Sequence, residues 1–132
     1  MFSILLDTNS YINMFKGYEE VKNEIINTDI VYMSTIVIGE LYTGFYRSPN
    51  FEKKRDEFDN FISSSYIQIL PVDFETSIIF GEIKSKLMKI GKNIPINDTW
   101  IAAQCIQKGT KLITYDKDFL KVPGLRIWNQ LY

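Results

Sequence analysis

Apolar residues along this chain fall into two spacings. Short runs of aliphatic and β-branched residues, Phe2–Leu6, Ile30–Met33, Ile67–Val72 and Lys111–Thr114, read as strands, with Arg126–Trp128 as a fifth. Between them lie longer segments whose apolar positions recur every three or four residues. Roughly Ser10–Phe15, Glu19–Asn27, Thr35–Tyr46, Phe51–Ser64, Phe74–Ile90 and Asp98–Lys108 therefore read as helices. The punctuation agrees: Ser34-Thr35 and Asp73 are good N-caps, and Gly91, Gly109 and the Ser48-Pro49 pair are good stops. Strands that are almost wholly apolar and alternate with helices predict an α/β fold with a mainly parallel sheet covered on both faces. In such folds ligands gather beyond the carboxyl ends of the strands.

No repeat, low-complexity tract or flexible linker interrupts the pattern, and 132 residues suit one domain spanning 1–132. A hydrophobic content of 45%, with 9 Phe, 8 Tyr and 2 Trp, is ample for a core. The single cysteine rules out an internal disulfide and makes a thiolate zinc site implausible. With no histidine, His-based triads, His–metal sites and the usual neutral-pH general base are excluded. Any metal would be held by oxygen ligands, which points to magnesium or manganese. The N-terminus does not read as a signal peptide and no run approaches a membrane span, so the expectation is a soluble, cytoplasmic protein with no membrane partner.

Four acidic residues stand in costly places. Asp7 directly follows the first strand, and Asp116 follows the strand in "KLITYDKDF". Both would face the ligand crevice, although a turn or capping aspartate is the common alternative. Glu40, in "STIVIGELYTGFY", has Ile36, Val37, Leu41 and Gly44 on its own helical face and is expected to point toward the core. A lone buried carboxylate must be protonated, paired with a cation or bound to a metal. Asp98 heads the apolar stripe of Ile101, Ala102, Cys105 and Ile106. The helix dipole would also favour an acid there, but Asn97 is already available as the cap. Cys105 is most simply a small core residue. Four carboxylates converging without cations would repel, and a divalent ion is the economical way to neutralise them. Oxygen-only clusters of this type serve phosphoryl transfer and phosphodiester hydrolysis.

On these residues the chain resembles a family. "LLDTNSYI", "IGELYTG", "IPINDTWIAA" and "LITYDKDF" look like the motifs of PIN-domain ribonucleases, and most like the VapC-type toxins of toxin–antitoxin pairs. The match runs over essentially the whole chain with order and spacing intact. The resemblance implies a PIN-like three-layer α/β/α fold and an acidic site of Asp7, Glu40, Asp98 and Asp116 holding one or two Mg2+ or Mn2+ ions. It also implies RNA cleavage by metal-activated water, a homodimer, and a cognate antitoxin that blocks the site. Asn9 and Thr99 match polar positions that support the carboxylates or the metal's water. Some relatives carry Asn at the place of Asp116 and use the acid just before the Phe, here Asp118. Asp116 is preferred because it comes sooner after the strand.

The net charge of −1 hides an asymmetry: residues 1–83 balance at −7 and residues 84–132 at +6. Lys84, Lys86, Lys89 and Lys92, followed by Lys108 and Lys111, are candidates for RNA phosphate contacts, as is Arg47. A solvated helix face is the alternative, since i,i+2 neighbours point apart. Rival enzymes fail on specifics. A dehalogenase-type phosphatase wants an acid where Asn9 stands, a receiver domain wants paired N-terminal acids, and a dinucleotide site wants a Gly-rich first turn. A DNA-directed PIN nuclease and a catalytically inactive PIN-like module remain as alternative readings.

Overall fold

A computed structural model describes residues 1–131. Four parallel strands, β1 (Ser3–Leu6), β2 (Ile30–Ser34), β3 (Ile67–Leu70) and β4 (Lys111–Ile113), form one sheet in the order β3-β2-β1-β4. Six helices connect them: α1 (Thr8–Phe15), α2 (Glu19–Ile26), α3 (Thr35–Tyr46), α4 (Phe51–Ile62), α5 (Phe74–Lys89) and α6 (Ile96–Lys108). From β1 the chain winds outward through β2 to β3, then returns past β1 to lay down β4 on the other side. Right-handed crossovers that travel in opposite directions put helices on both faces, which completes the expected α/β/α layers.

β1 and β4 are nearly all buried because both faces of the sheet are covered. The edge strand β3 buries only Ile67 and Leu70, and Pro71 ends it two residues sooner than the apolar run suggests. On one face Tyr11, Phe58 and Phe61 from α1 and α4 meet edge to face, and Tyr42 and Phe45 of α3 join them. On the other face α5 packs along α6, where Phe80 stacks on Trp100 at 4.0 Å. Arg126–Trp128 is a single parallel bridge rather than a strand: Leu112 pairs with Ile127, and Trp128 N–H donates to the Leu112 carbonyl at 2.8 Å.

The capping residues work as expected. Ser34 caps α3, Asp73 caps α5 in a reciprocal box with Thr76, and Gly109 closes α6 in the left-handed conformation at φ 61°. Two helix starts differ from the expected ones. Helix α1 begins at Thr8 because Asp7 is its cap. Helix α6 begins at Ile96 behind Pro95, so Asn97 lies inside the first turn and does not cap it. Among the described residues no helix is long and apolar enough to cross a membrane.

Candidate functional site

The strand order reverses between β1 and β4, which makes their carboxyl ends the topological switch point of the sheet. Asp7 leaves β1 there, and Asp116 follows β4 by three residues. Asp7 is 7% exposed, and one carboxylate oxygen accepts the Ser10 N–H at 3.0 Å as the α1 cap. Burial raises its pKa above the ordinary aspartate value. The Thr114 hydroxyl and the Ser10 N–H oppose the shift, and the Asp116 charge adds to it.

Asp98 sits in the first turn of α6, partly buried. Its pKa is pushed up to about 6, first by burial and then by the charges of Asp116, Glu40, Asp7 and Asp118 in that order. All the acids selected from the sequence are therefore close enough to Asp98 to be felt electrostatically. Glu40 is only half-buried rather than turned into the core. It is neither free nor ion-paired: the Thr8 hydroxyl donates to Glu40 Oε1 at 2.7 Å. Asp116 is exposed, caps a short 3-10 turn (Lys117–Lys121) and accepts the Asp118 N–H at 2.9 Å. Asp118 pairs with Lys121 at 2.9 Å. Among the described residues, no ion pair involves Asp7, Glu40, Asp98 or Asp116.

The donor set suits a hard cation, since it is all oxygen and its charge is uncompensated. Among the described residues, however, no three acidic or thiol side chains form a ready-made metal cage.

The supporting groups differ from those expected. Thr99 is buried and its hydroxyl donates to the Pro95 carbonyl at 3.1 Å, not to a carboxylate, because α6 starts two residues earlier and puts Thr99 within its own helical ladder. Asn9 is exposed in the first turn of α1. The groups that do touch the acids are Thr8, Ser10 and Thr114, which also accepts the Asp116 N–H at 3.0 Å. Ser10 and Thr114 could have been suspected as hydroxyls within three residues of Asp7 and Asp116. Nothing in the sequence pairs Thr8 with a glutamate 32 positions away.

The lysine group separates. Lys84 and Lys89 line one groove of about 500 Å³ on α5. Lys84 also borders a second, of about 360 Å³, formed by Asn93–Ile96 at the start of α6. Lys86 is engaged by Glu82 at 2.8 Å, and Lys111 by Glu24 at 3.3 Å. Lys92 is exposed in the turn after α5, Lys108 is exposed in the last turn of α6, and Arg47 is exposed at the C-terminus of α3.

Comparison with known proteins places this geometry in context. Residues 4–125 match the PIN domain family model. The chain is 32% identical over 132 residues to ribonuclease VapC2 of Haemophilus influenzae, covering 98% of each protein. It is 29% identical over 130 residues to the tRNA(fMet)-specific endonuclease VapC of Salmonella typhimurium, covering 96% of this chain and 97% of that protein. The crystal structure of DNA-bound VapBC from Salmonella typhimurium superposes with a TM-score of 0.86 at 27% identity, covering 97% of this chain and 98% of that one.

Proposed function

Because the chain belongs to the PIN-domain family, and within it to the VapC ribonucleases, we propose that it is a divalent-metal-dependent endoribonuclease and the toxin of a toxin–antitoxin pair. The observation that carries the reading is the set of carboxylates around Asp98 at the sheet's switch point, of which Asp7, Glu40, Asp98 and Asp116 take part in no ion pair among the described residues. A protein that used this face only for packing would gain stability by neutralising it.

Asp7, Glu40, Asp98 and Asp116 are the residues that would hold Mg2+ or Mn2+. A bound ion of this kind lowers the pKa of water and offsets charge on the attacking and leaving oxygens of a phosphodiester. The protein's own part is to aim the ligands. Ser10 and Thr114 hold Asp7, the 3-10 turn holds Asp116, and the α6 N-terminus favours charge on Asp98. Asp118 is the weaker choice for the fourth acid because Lys121 already neutralises it. Lys84 and Lys89, which line the α5 groove, with Lys84 also bordering the cleft at the start of α6, are the basic residues that would hold RNA phosphates.

The partner is a cognate antitoxin. The Salmonella typhimurium structure that this chain resembles is a VapBC complex, which supports this reading. A homodimer is the assembly proposed.

The test compares wild type with Asp7→Asn on pooled RNA and single-stranded DNA, with Mg2+, Mn2+ or EDTA. RNA cleavage that needs metal and falls at least about a hundredfold in a folded Asp7→Asn protein is the expected result. Cleavage that survives EDTA or the substitution would overturn the assignment. Cleavage confined to DNA would favour the DNA-directed reading.

A further inference from the structure

Thr8 is the first residue of α1, next to the capping carboxylate of Asp7. A threonine here can turn its hydroxyl to water or to nearby backbone. Instead its one hydroxyl proton reaches α3, where Glu40 Oε1 accepts it at 2.7 Å. The contact joins two of the elements that carry the acidic cluster. Ser10 does not substitute for it, because its N–H is on Asp7 and its hydroxyl donates to the Ile113 carbonyl at 2.7 Å. Thr99 is engaged within its own helix.

Glu40 has three side-chain torsions and is only half-buried, so packing alone does not settle its carboxylate. One charge-assisted hydrogen bond fixes one oxygen and leaves the other free as an acceptor. Because Thr8 is bonded covalently to Asp7, that hydrogen bond also ties the placement of Glu40 to the placement of Asp7.

We propose that Thr8 is the positioning residue of Glu40, holding its carboxylate in register with Asp7 and thereby setting the affinity of the acidic cluster for a divalent cation. The inference rests on the metal-dependent reading above. Hydrogen bonds to ligating carboxylates commonly change metal affinity by about ten- to a hundredfold.

The experiment titrates Mn2+ into the whole protein by calorimetry for wild type, Thr8→Val, Thr8→Ser, Glu40→Ala and the Thr8→Val/Glu40→Ala double variant. Melting temperatures confirm that each is folded. Val keeps the branched shape and loses the hydroxyl, whereas Ser keeps the hydroxyl. Thr8→Val should weaken Mn2+ binding about tenfold. Thr8→Ser should bind as wild type does. In the Glu40→Ala background, Thr8→Val should cause no further loss, because a residue that acts through Glu40 has nothing left to act on. Raising Mn2+ should restore the cleavage rate of Thr8→Val with the KM for RNA unchanged. Equal Mn2+ affinity in wild type and Thr8→Val, or losses that add in the double variant, would overturn the inference while leaving the metal site in place. A wild type that takes up no Mn2+ would sink the metal reading itself, and this inference with it.

Discussion

Neutralising Asp98 should stabilise the metal-free protein while destroying its function. Burial and four neighbouring carboxylates raise the Asp98 pKa from 3.8 to about 6. At 1.36 kcal/mol per unit, that shift is a ceiling of about 3 kcal/mol of destabilisation when the group is ionised. Asp98 is only partly buried, and screening by water reduces the figure to roughly 1–2 kcal/mol. Asp98→Asn also gives up a favourable interaction with the α6 N-terminus, worth ~0.5 kcal/mol. The net gain is about 1 kcal/mol, or roughly 3–5 °C in melting temperature for a chain of this size.

The sign with pH follows from the same shift. Below pH 3.8 Asp98 is protonated in both folded and unfolded chains and costs nothing. As pH rises toward about 6 the unfolded chain ionises first, so stability is lost across that window and the full cost stands above it. Thermal melts in EDTA at about pH 5 and about pH 7.5 read this directly. At the higher pH Asp98→Asn should melt above wild type, and the difference should shrink at the lower pH. Adding Mg2+ should then raise wild type more than the variant. An Asp98→Asn protein that melts at or below wild type in EDTA at neutral pH would refute the charge argument.

The other predictions concern RNA binding and the core. Replacing Lys84 and Lys89 by Gln should flatten the dependence of RNA affinity on salt by ~0.7 in the log–log slope for each phosphate no longer neutralised, read by fluorescence anisotropy. Lys86→Gln should leave that slope unchanged, because Glu82 already engages the lysine. If the first pair leaves the slope untouched, the α5 groove is not part of the interface. Gln104 is fully buried; its amide N–H donates to the Leu70 carbonyl at 3.0 Å and its carbonyl accepts from the Ser34 hydroxyl. Gln104→Leu strands both partners and should cost about 2–4 kcal/mol in urea unfolding. Phe58→Ala, at the centre of the α1–α3–α4 aromatic cluster, should cost about 3–5 kcal/mol in the same assay, and a cost under ~1 would mean the cluster collapses to fill the space.

Much of the fold was legible because hydrophobic spacing is a local signal. Strands β1, β2 and β4 and all six helices lie within about two residues of their expected bounds. The misses have physical reasons. Pro95 starts α6 early because proline suits a helix entrance, and the periodicity that marked the helix becomes visible only once the chain turns inward. The segment Arg126–Trp128 pairs with β4 only around Leu112, a single bridge whose short extent its apolar spacing does not disclose. The acids themselves were legible as charged residues at strand ends and on apolar helix faces. Their supports were not, because the Thr8–Glu40 and Gln104–Ser34 bonds depend on how elements far apart in sequence meet.

Strand order also resolves the ambiguity of Asp7. Capping a helix and serving a site looked like competing roles for an aspartate after a strand. In this sheet they coincide, because α1 starts at the switch point and its capping carboxylate therefore lies in the crevice. The Ser10 N–H engages one Asp7 oxygen and offsets part of the burial cost, which keeps the ionised form accessible at a buried position. The cap is thus part of what allows an acid to be held there. Replacing Ser10 would not test this, since its contribution to Asp7 includes a backbone N–H. Only a change at Asp7 itself separates the two roles. Asp7→Asn preserves a good cap and removes the charge, so a folded but inactive Asp7→Asn protein is the outcome that this geometry requires.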